Sequence, residues 1–326
     1  MTLLDITLII PHQGAPEDLH ELCQAIAQLR GLPKEIIIID SSKESSALDS
    51  SFVLFCKQNK IQLMVEIYNN LFPGHSRNIG ILKASNEVLA FLDTKTLPSQ
   101  NWLFDNYKLM LDSQSDGVMG STVYMASSFK EKIVRSATFG SNPIQTIPGS
   151  IISASVFSRV GLFIENTRAG EDGDWISRSE IHPLKLQSSL SPLLYKGLHN
   201  LKIMDLLSKW FRNYLYTSKL PFFKPHKDFY FYIFFLSSLF LAYNWNAVTA
   251  SWDQTSEFYI PNITKIIFAS LSILYILGRG FFLPLRKGVE IKFLLPFGII
   301  PISIISLSID LVKSCAFFSS KFFKLP

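Results

Sequence analysis

Two patterns of apolar residues divide the chain. Residues 5–11 (DITLIIP) and 34–40 (KEIIIID) are short, β-branched and nearly unbroken apolar runs, with a helical stretch predicted over 16–30 between them. Strands without polar alternation are covered by helices on both faces, so these segments predict a parallel βαβ unit. The alternation continues with a strand over 62–67, a helix over 74–84, a strand over 88–92, a helix near 102–111 and strands over 117–125 and 149–157. Ligands of such sheets collect at the carboxyl ends of the strands, which is where Asp40 and Asp93 fall.

Past Phe229 the pattern becomes that of a different solvent. An uncharged run lies between Asp228 and Asp253, a second apolar segment covers 263–283, and a third covers 293–309 and contains Pro296 and Pro301. Crossing a hydrocarbon core takes about 20 helical residues, so the first two are predicted spans. The prolines leave the third as a kinked span or a re-entrant hairpin; the charges around it favour the hairpin. Between the two patterns, apolar residues at helical spacing over 199–220 alternate with basic ones, as in a helix lying in the headgroup plane or packed on the preceding domain. The expected organisation is therefore an α/β domain over 1–198, a basic amphipathic segment over 199–228, and a membrane anchor over 229–326 with two or three hydrophobic segments.

Composition and charge fit this division. The 326 residues are 48% hydrophobic and include 27 phenylalanines, and the net charge of +5 comes partly from Lys202, Lys209, Arg212, Lys219, Lys224 and Lys227. Basic residues placed just before an apolar region suit an anionic membrane surface rather than nucleic acid. The opening Met1-Thr2-Leu3-Leu4-Asp5-Ile6 lacks the basic stretch and cleavage site of a secretory leader, so the first domain is expected in the cytoplasm, at a bacterial inner membrane. Cys23, Cys56 and Cys315 have no paired spacing and are expected to be buried thiols. No GxSxG elbow, P-loop, HExxH or GxGxxG fingerprint occurs, which argues against hydrolase, P-loop and dinucleotide-dependent chemistry.

Four segments occur in a telling order. The first strand ends in Pro11 and the second in Asp40. Pro73-Gly74-His75-Ser76-Arg77-Asn78-Ile79-Gly80 then precedes Phe91-Leu92-Asp93, and Gly170-Glu171-Asp172-Gly173-Asp174-Trp175 follows later, with Arg178 after it. In these residues, over about 5–180, the chain resembles the family 2 glycosyltransferases. The resemblance implies an α/β class, with a GT-A nucleotide-binding (Rossmann-like) domain followed by C-terminal transmembrane helices. It also implies an inverting transfer of a sugar from a nucleotide-diphosphate donor. The acceptor expected is membrane-associated, a lipid-linked saccharide or polyprenyl phosphate.

The same resemblance distributes roles. Pro11, Asp40, Arg77, Asp93 and Lys95 are the donor-binding candidates, with Asp40 for the base and Arg77 for phosphate or for holding the Asp93 loop. Asp172, with Glu171, is the catalytic candidate, as the base that takes the acceptor's hydroxyl proton. The family pattern after the fourth strand is two aspartates one residue apart, which hold a divalent cation. Here Asp93-Thr94-Lys95 keeps the first and replaces the second by an amine. Two readings follow: Mg²⁺ or Mn²⁺ still bound at Asp93, which is preferred, or Lys95 itself offsetting the diphosphate charge. The missing aspartate also motivates an alternative, a non-catalytic GT-A-like membrane protein that binds a nucleotide sugar or a partner transferase.

Overall fold

The computed structural model describes residues 2–42, 48–199, 202–223 and 227–322, with backbone alone for 227–232, 234 and 235. The first half follows the predicted alternation and adds a helix, α2, that was not expected: β1 (Thr2–His12), α1 (Pro16–Ala27), β2 (Gly31–Asp40), α2 (Ser50–Gln58), β3 (Gln62–Ile67), α3 (Pro73–Lys83) and β4 (Val88–Phe91). These four strands are parallel, in the order β3-β2-β1-β4. The unbroken apolar runs have the cause expected of them. Leu8 and Ile10 point into one core with Leu22, Ile26 and Trp102, while Ile9 between them points into a second core with Phe91, Phe157 and Trp175. Helix α3 lies close on the sheet at Gly80, where an added Cβ would come within 2.4 Å of Ile9.

The second half departs from a parallel α/β sheet. It comprises β5 (Thr96–Leu97), α4 (Trp102–Asp112), β6 (Gly117–Tyr124), α5 (Phe129–Ala137), β7 (Ile144–Ser153), α6 (Ala154–Val160), α7 (Glu171–Ser179), β8 (Leu186–Ser188) and β9 (Leu193–Tyr195). Strand β7 joins β4 antiparallel, and the sheet continues as β7-β6-β9-β5, with β8 also on β6. The strand predicted over 149–157 ends at Ser153 instead. Val156, Phe157 and Val160 then recur at helical spacing and turn into the second core, so α6 replaces the strand's last residues.

The C-terminal part consists of α8 (Ile203–Thr217), α9 (Lys227–Ala250) and two longer helical stretches, Ile263–Arg286 and Ile291–Ser320. These last two, of 24 and 30 residues, are long and apolar enough to cross a membrane, and only 11% and 33% of their most apolar windows are buried in the protein. A soluble core helix of this length would be largely buried. Helix α9 occupies the first predicted span, though the side chains of 227–232, 234 and 235 lie outside the described residues. The third predicted segment is a kinked helix rather than a hairpin: the break comes at Leu295 (φ −112°, ψ 138°), and Ile299–Ser320 then runs on unbroken.

These helices sit on the first domain. Ile133 and Ala137 of α5 pack with Val289, Leu294 and Ile302, while Val134 packs with Leu198, Leu206 of α8 and Ile309. A polar clasp that the apolar pattern concealed also joins them. Asp310 accepts from Arg279 Nη2 at 2.5 Å and from the Tyr275 hydroxyl at 3.0 Å, with Lys313 Nζ 4.0 Å away. Cys23 and Cys56 are buried as expected, but Cys315 is exposed on the outer side of the last helix.

Candidate active site

Each strand end at the carboxyl edge of the sheet delivers a short loop, and together these loops frame a cleft of about 510 Å³. That lies within the range of small-molecule sites. Pro11, His12 and Gln13 enter from β1, Ser41 from β2, and Asp93, Thr94 and Lys95 from β4; Glu171 and Asp172 come from α7. Gly170 makes the last approach possible. Its φ of +94° reverses the chain just before α7, and an added Cβ would meet Leu220 at 2.6 Å. The acidic segment is thus the first turn of a helix, where carboxylates also complement the helix dipole.

Arg77 organises this wall. It projects from α3 and is 1% exposed, although an arginine is rarely so deep without partners. Its Nη1 donates to Glu171 Oε1 at 2.9 Å and to Asp172 Oδ1 at 2.7 Å, and its Nη2 donates to Asp93 Oδ1 at 3.0 Å. The guanidinium lies 5.6 Å from the centre of the Phe163 ring. One planar fork therefore ties the end of β4 to the start of α7, a task that its fixed donor geometry suits. Arg77 is not among the residues that line the cleft, and its bond to Asp93 ties it to the loop after β4.

Burial shapes the charges here. Burial raises the Asp172 carboxyl well above the usual carboxylate range; Arg77 pulls the other way, and Glu171 and Asp93 add to the rise. The three carboxylates hold Arg77 firmly charged against the cost of its own burial. Asp172 keeps 29% of its side chain exposed toward the cleft, so it can meet a ligand, whereas Glu171 keeps 8%.

The other predicted residues fall in different places. Pro11 and Lys95 line the cleft, and Lys95 Nζ stands 3.6 Å from Asp18. Asp40 is buried at the end of β2, where its Oδ1 accepts from the Ser42 amide at 2.9 Å; its neighbour Ser41 is the one on the cleft wall. Among the described residues, no group of three His, Cys, Asp or Glu side chains is placed to hold a metal ion.

Sequence reasoning missed the basic wall. Arg168, Lys209, Arg212 and Asn213 also line the cleft, together with Tyr124 and Tyr195. Lys209 lies 5.7 Å from the Tyr195 ring centre, and Arg168 donates to the Gln13 side chain. Lys209 and Arg212 are three apart on α8 and so share a face, a signal present in the sequence but read as contact with a membrane surface. The same helix buries Leu206 against Val134 and Ile309 and leaves Ile203, Met204 and Phe211 exposed.

A mixed sheet whose parallel half ends in a ligand cleft, with an acidic helix start brought beside the fourth strand, defines the GT-A class of α/β domain. The comparisons agree. The Glycosyl transferase family 2 description matches residues 7–163, so that segment is similar to this family. An uncharacterized glycosyltransferase of Rickettsia bellii (strain RML369-C) is 32% identical over 174 residues, which is 50% of this chain but only 24% of that protein. The chain thus spans about a quarter of that relative's length. Among solved structures, the mannosyltransferase PcManGT of Pyrobaculum calidifontis, in complex with GDP-Man and Mn²⁺, shares the fold with a TM-score of 0.52. It is 14% identical, with 93% of this chain and 87% of that one aligned. TarS 1–349 of S. aureus in complex with UDP-GlcNAc aligns over 98% of this chain and 92% of that one, at 15% identity and a TM-score of 0.45.

Proposed function

We propose that the protein transfers a sugar, with inversion, from a nucleotide-diphosphate donor to an acceptor carried by the membrane, at the cytoplasmic face. The observation that carries this reading is the pairing of Asp172 with Asp93 on a buried arginine at the mouth of the cleft. A wall so held presents fixed carboxylates to a reacting centre, and pre-organised polar groups are what lower a transfer barrier. The family match and a neighbour solved with GDP-Man support a sugar nucleotide as donor.

Asp172 is the base. Its carboxylate accepts the acceptor's hydroxyl proton while the oxygen attacks the anomeric carbon and the nucleoside diphosphate departs from the opposite face. A raised affinity for protons suits it to that step near neutrality. With an ionised phosphate as acceptor no proton need move, and Asp172 then orients the attacking oxygen. The apolar helices, one of which packs on α8, favour an acceptor anchored in lipid, a lipid-linked saccharide or polyprenyl phosphate, because tethering both partners to one surface raises their effective concentration. Mn²⁺ accompanies the donor in the Pyrobaculum neighbour, which makes a divalent cation the first partner to test.

The test is donor turnover by the full chain in a membrane mimetic, with a panel of nucleotide sugars, a lipid extract, and Mg²⁺, Mn²⁺ or chelator. Nucleoside diphosphate release that is lost in Asp172→Asn is the expected result. Donor binding without release, across the panel and several lipid extracts, would instead favour the non-catalytic reading that the lysine at position 95 motivates.

A further inference from the structure

Among the described residues, four cations face the cleft, Lys95, Arg168, Lys209 and Arg212, and of these the first lies in a segment associated with donor binding by resemblance. Burial, together with Lys95 and Arg212, holds the Lys209 ammonium below its ordinary range; burial and Arg212 do the same to Arg168. The fold thus brings like charges together at some cost, an arrangement that an anion between them would stabilise.

The carboxylates of the other wall do not fit a resident divalent ion. Such ions want several oxygen ligands, and Mg²⁺ adds a demand for near-octahedral geometry. Asp93, Glu171 and Asp172 each give an oxygen to Arg77, and the place of the second aspartate carries an amine. A guanidinium at the centre of three carboxylates occupies the ground a dication would need. Yet a sugar nucleotide brings an anionic diphosphate, and the leaving group gains further negative charge as the glycosidic bond breaks. Something must offset that charge.

We propose that Lys209 and Arg212 of α8, with Arg168 and Lys95, bind the donor's diphosphate and neutralise the departing nucleotide in place of a divalent metal ion. The proposal rests on the sugar-transfer reading above and adds to it the identity of the counter-charge. It also gives α8 a purpose. The helix is clamped between the first domain and the Ile299–Ser320 helix, where Lys313 lies 4.7 Å from the ring centre of its Trp210. Donor affinity is thereby tied to the seating of the apolar helices on the catalytic domain.

The experiment is calorimetric binding of UDP and GDP to the full chain in detergent, with EDTA and with Mn²⁺. Affinity in EDTA within about threefold of that in Mn²⁺ is expected, because side chains supply the charge. The double variant Lys209→Gln/Arg212→Gln should bind nucleotide at least about tenfold more weakly and with a shallower dependence on salt. The unaltered protein should show no bound Mn²⁺ in the spin-resonance signal of the ion. Nucleotide binding that needs Mn²⁺ would overturn the proposal while leaving sugar transfer intact. An unchanged nucleotide affinity in the double variant, with weaker binding of a short-chain prenyl phosphate, would overturn it too and assign these cations to the acceptor. A protein that binds no nucleotide in either buffer would overturn both this proposal and the transfer reading beneath it.

Discussion

The two walls of the cleft are built on opposite plans. The acidic wall hangs on one buried arginine whose Nη atoms bond Asp93, Glu171 and Asp172, so its oxygens are fixed by hydrogen bonds before any ligand arrives. Long basic side chains make the other wall. Three of them rise from α8 and from the residues before α7, with Lys209 and Arg168 half-buried and Arg212 exposed. Chemistry that depends on aim belongs on the first, and charge that must follow a departing group belongs on the second. The difference teaches where substitution should hurt rate and where it should hurt affinity.

The largest effect is expected at Asp172. Loss of a positioned base removes about 10²–10⁴ in rate. Asp172→Asn should therefore cost about that much in kcat with little change in UDP affinity, measured as nucleotide release and by calorimetry. A variant with full turnover would mean the acceptor oxygen arrives already ionised, and the acidic wall would then serve orientation alone.

Next comes Arg77. Removing one partner of a buried charged network strands the others, at a cost of about 3–5 kcal/mol. Arg77→Met should lower thermal stability accordingly and abolish turnover. Arg77→Lys should not rescue it, since one ammonium cannot reproduce the fork that bonds three carboxylates. A lysine variant with ordinary stability and rate would show that the wall needs charge but not aim.

The dependence on pH separates the walls again. With Asp172 raised, the base is lost by protonation as pH falls through a value above the usual carboxylate range, so the acid limb of kcat should lie at higher pH than an ordinary aspartate gives. The same shift lowers stability as pH rises from the unfolded aspartate's range to the folded one, because the native state holds the proton longer. Nucleotide affinity should show no such acid limb, having its charge from the basic wall. Parallel pH profiles for kcat and for UDP binding would erase the distinction.

Much of this was legible in the sequence, and the boundary is physical. Strands β1, β2 and β4 declare themselves because both faces are buried, and the acidic cluster and Arg77 stood out as chemistry. Strands β5, β8 and β9 did not, because two- and three-residue strands carry no period to read. Lys209 and Arg212 were visible as residues but not as cleft residues; only the packing of α8 onto the Ile299–Ser320 helix turns their side inward. Asp310 was hidden for a related reason, since a lone acid after an apolar run marks the end of a span unless its partner is known to be Arg279.

The smallest expected effect tests how much of the acidic wall's rigidity comes from beneath it. Phe163 is 3% exposed, packs with Phe91, Phe157 and Trp175, and lies under the Arg77 guanidinium. A cation over a desolvated ring contributes about 0.5–2 kcal/mol, and exchanging a buried phenylalanine for leucine adds a similar packing loss. Phe163→Leu should therefore lower thermal stability by roughly 1–3 kcal/mol. Its effect on kcat should be only a few-fold, because the hydrogen bonds that aim Asp172 come from the guanidinium's edge and not from its face. UDP affinity, set on the other wall, should not move. A rate loss approaching that of Asp172→Asn would place the aim of the carboxylate in the aromatic floor rather than in the arginine fork.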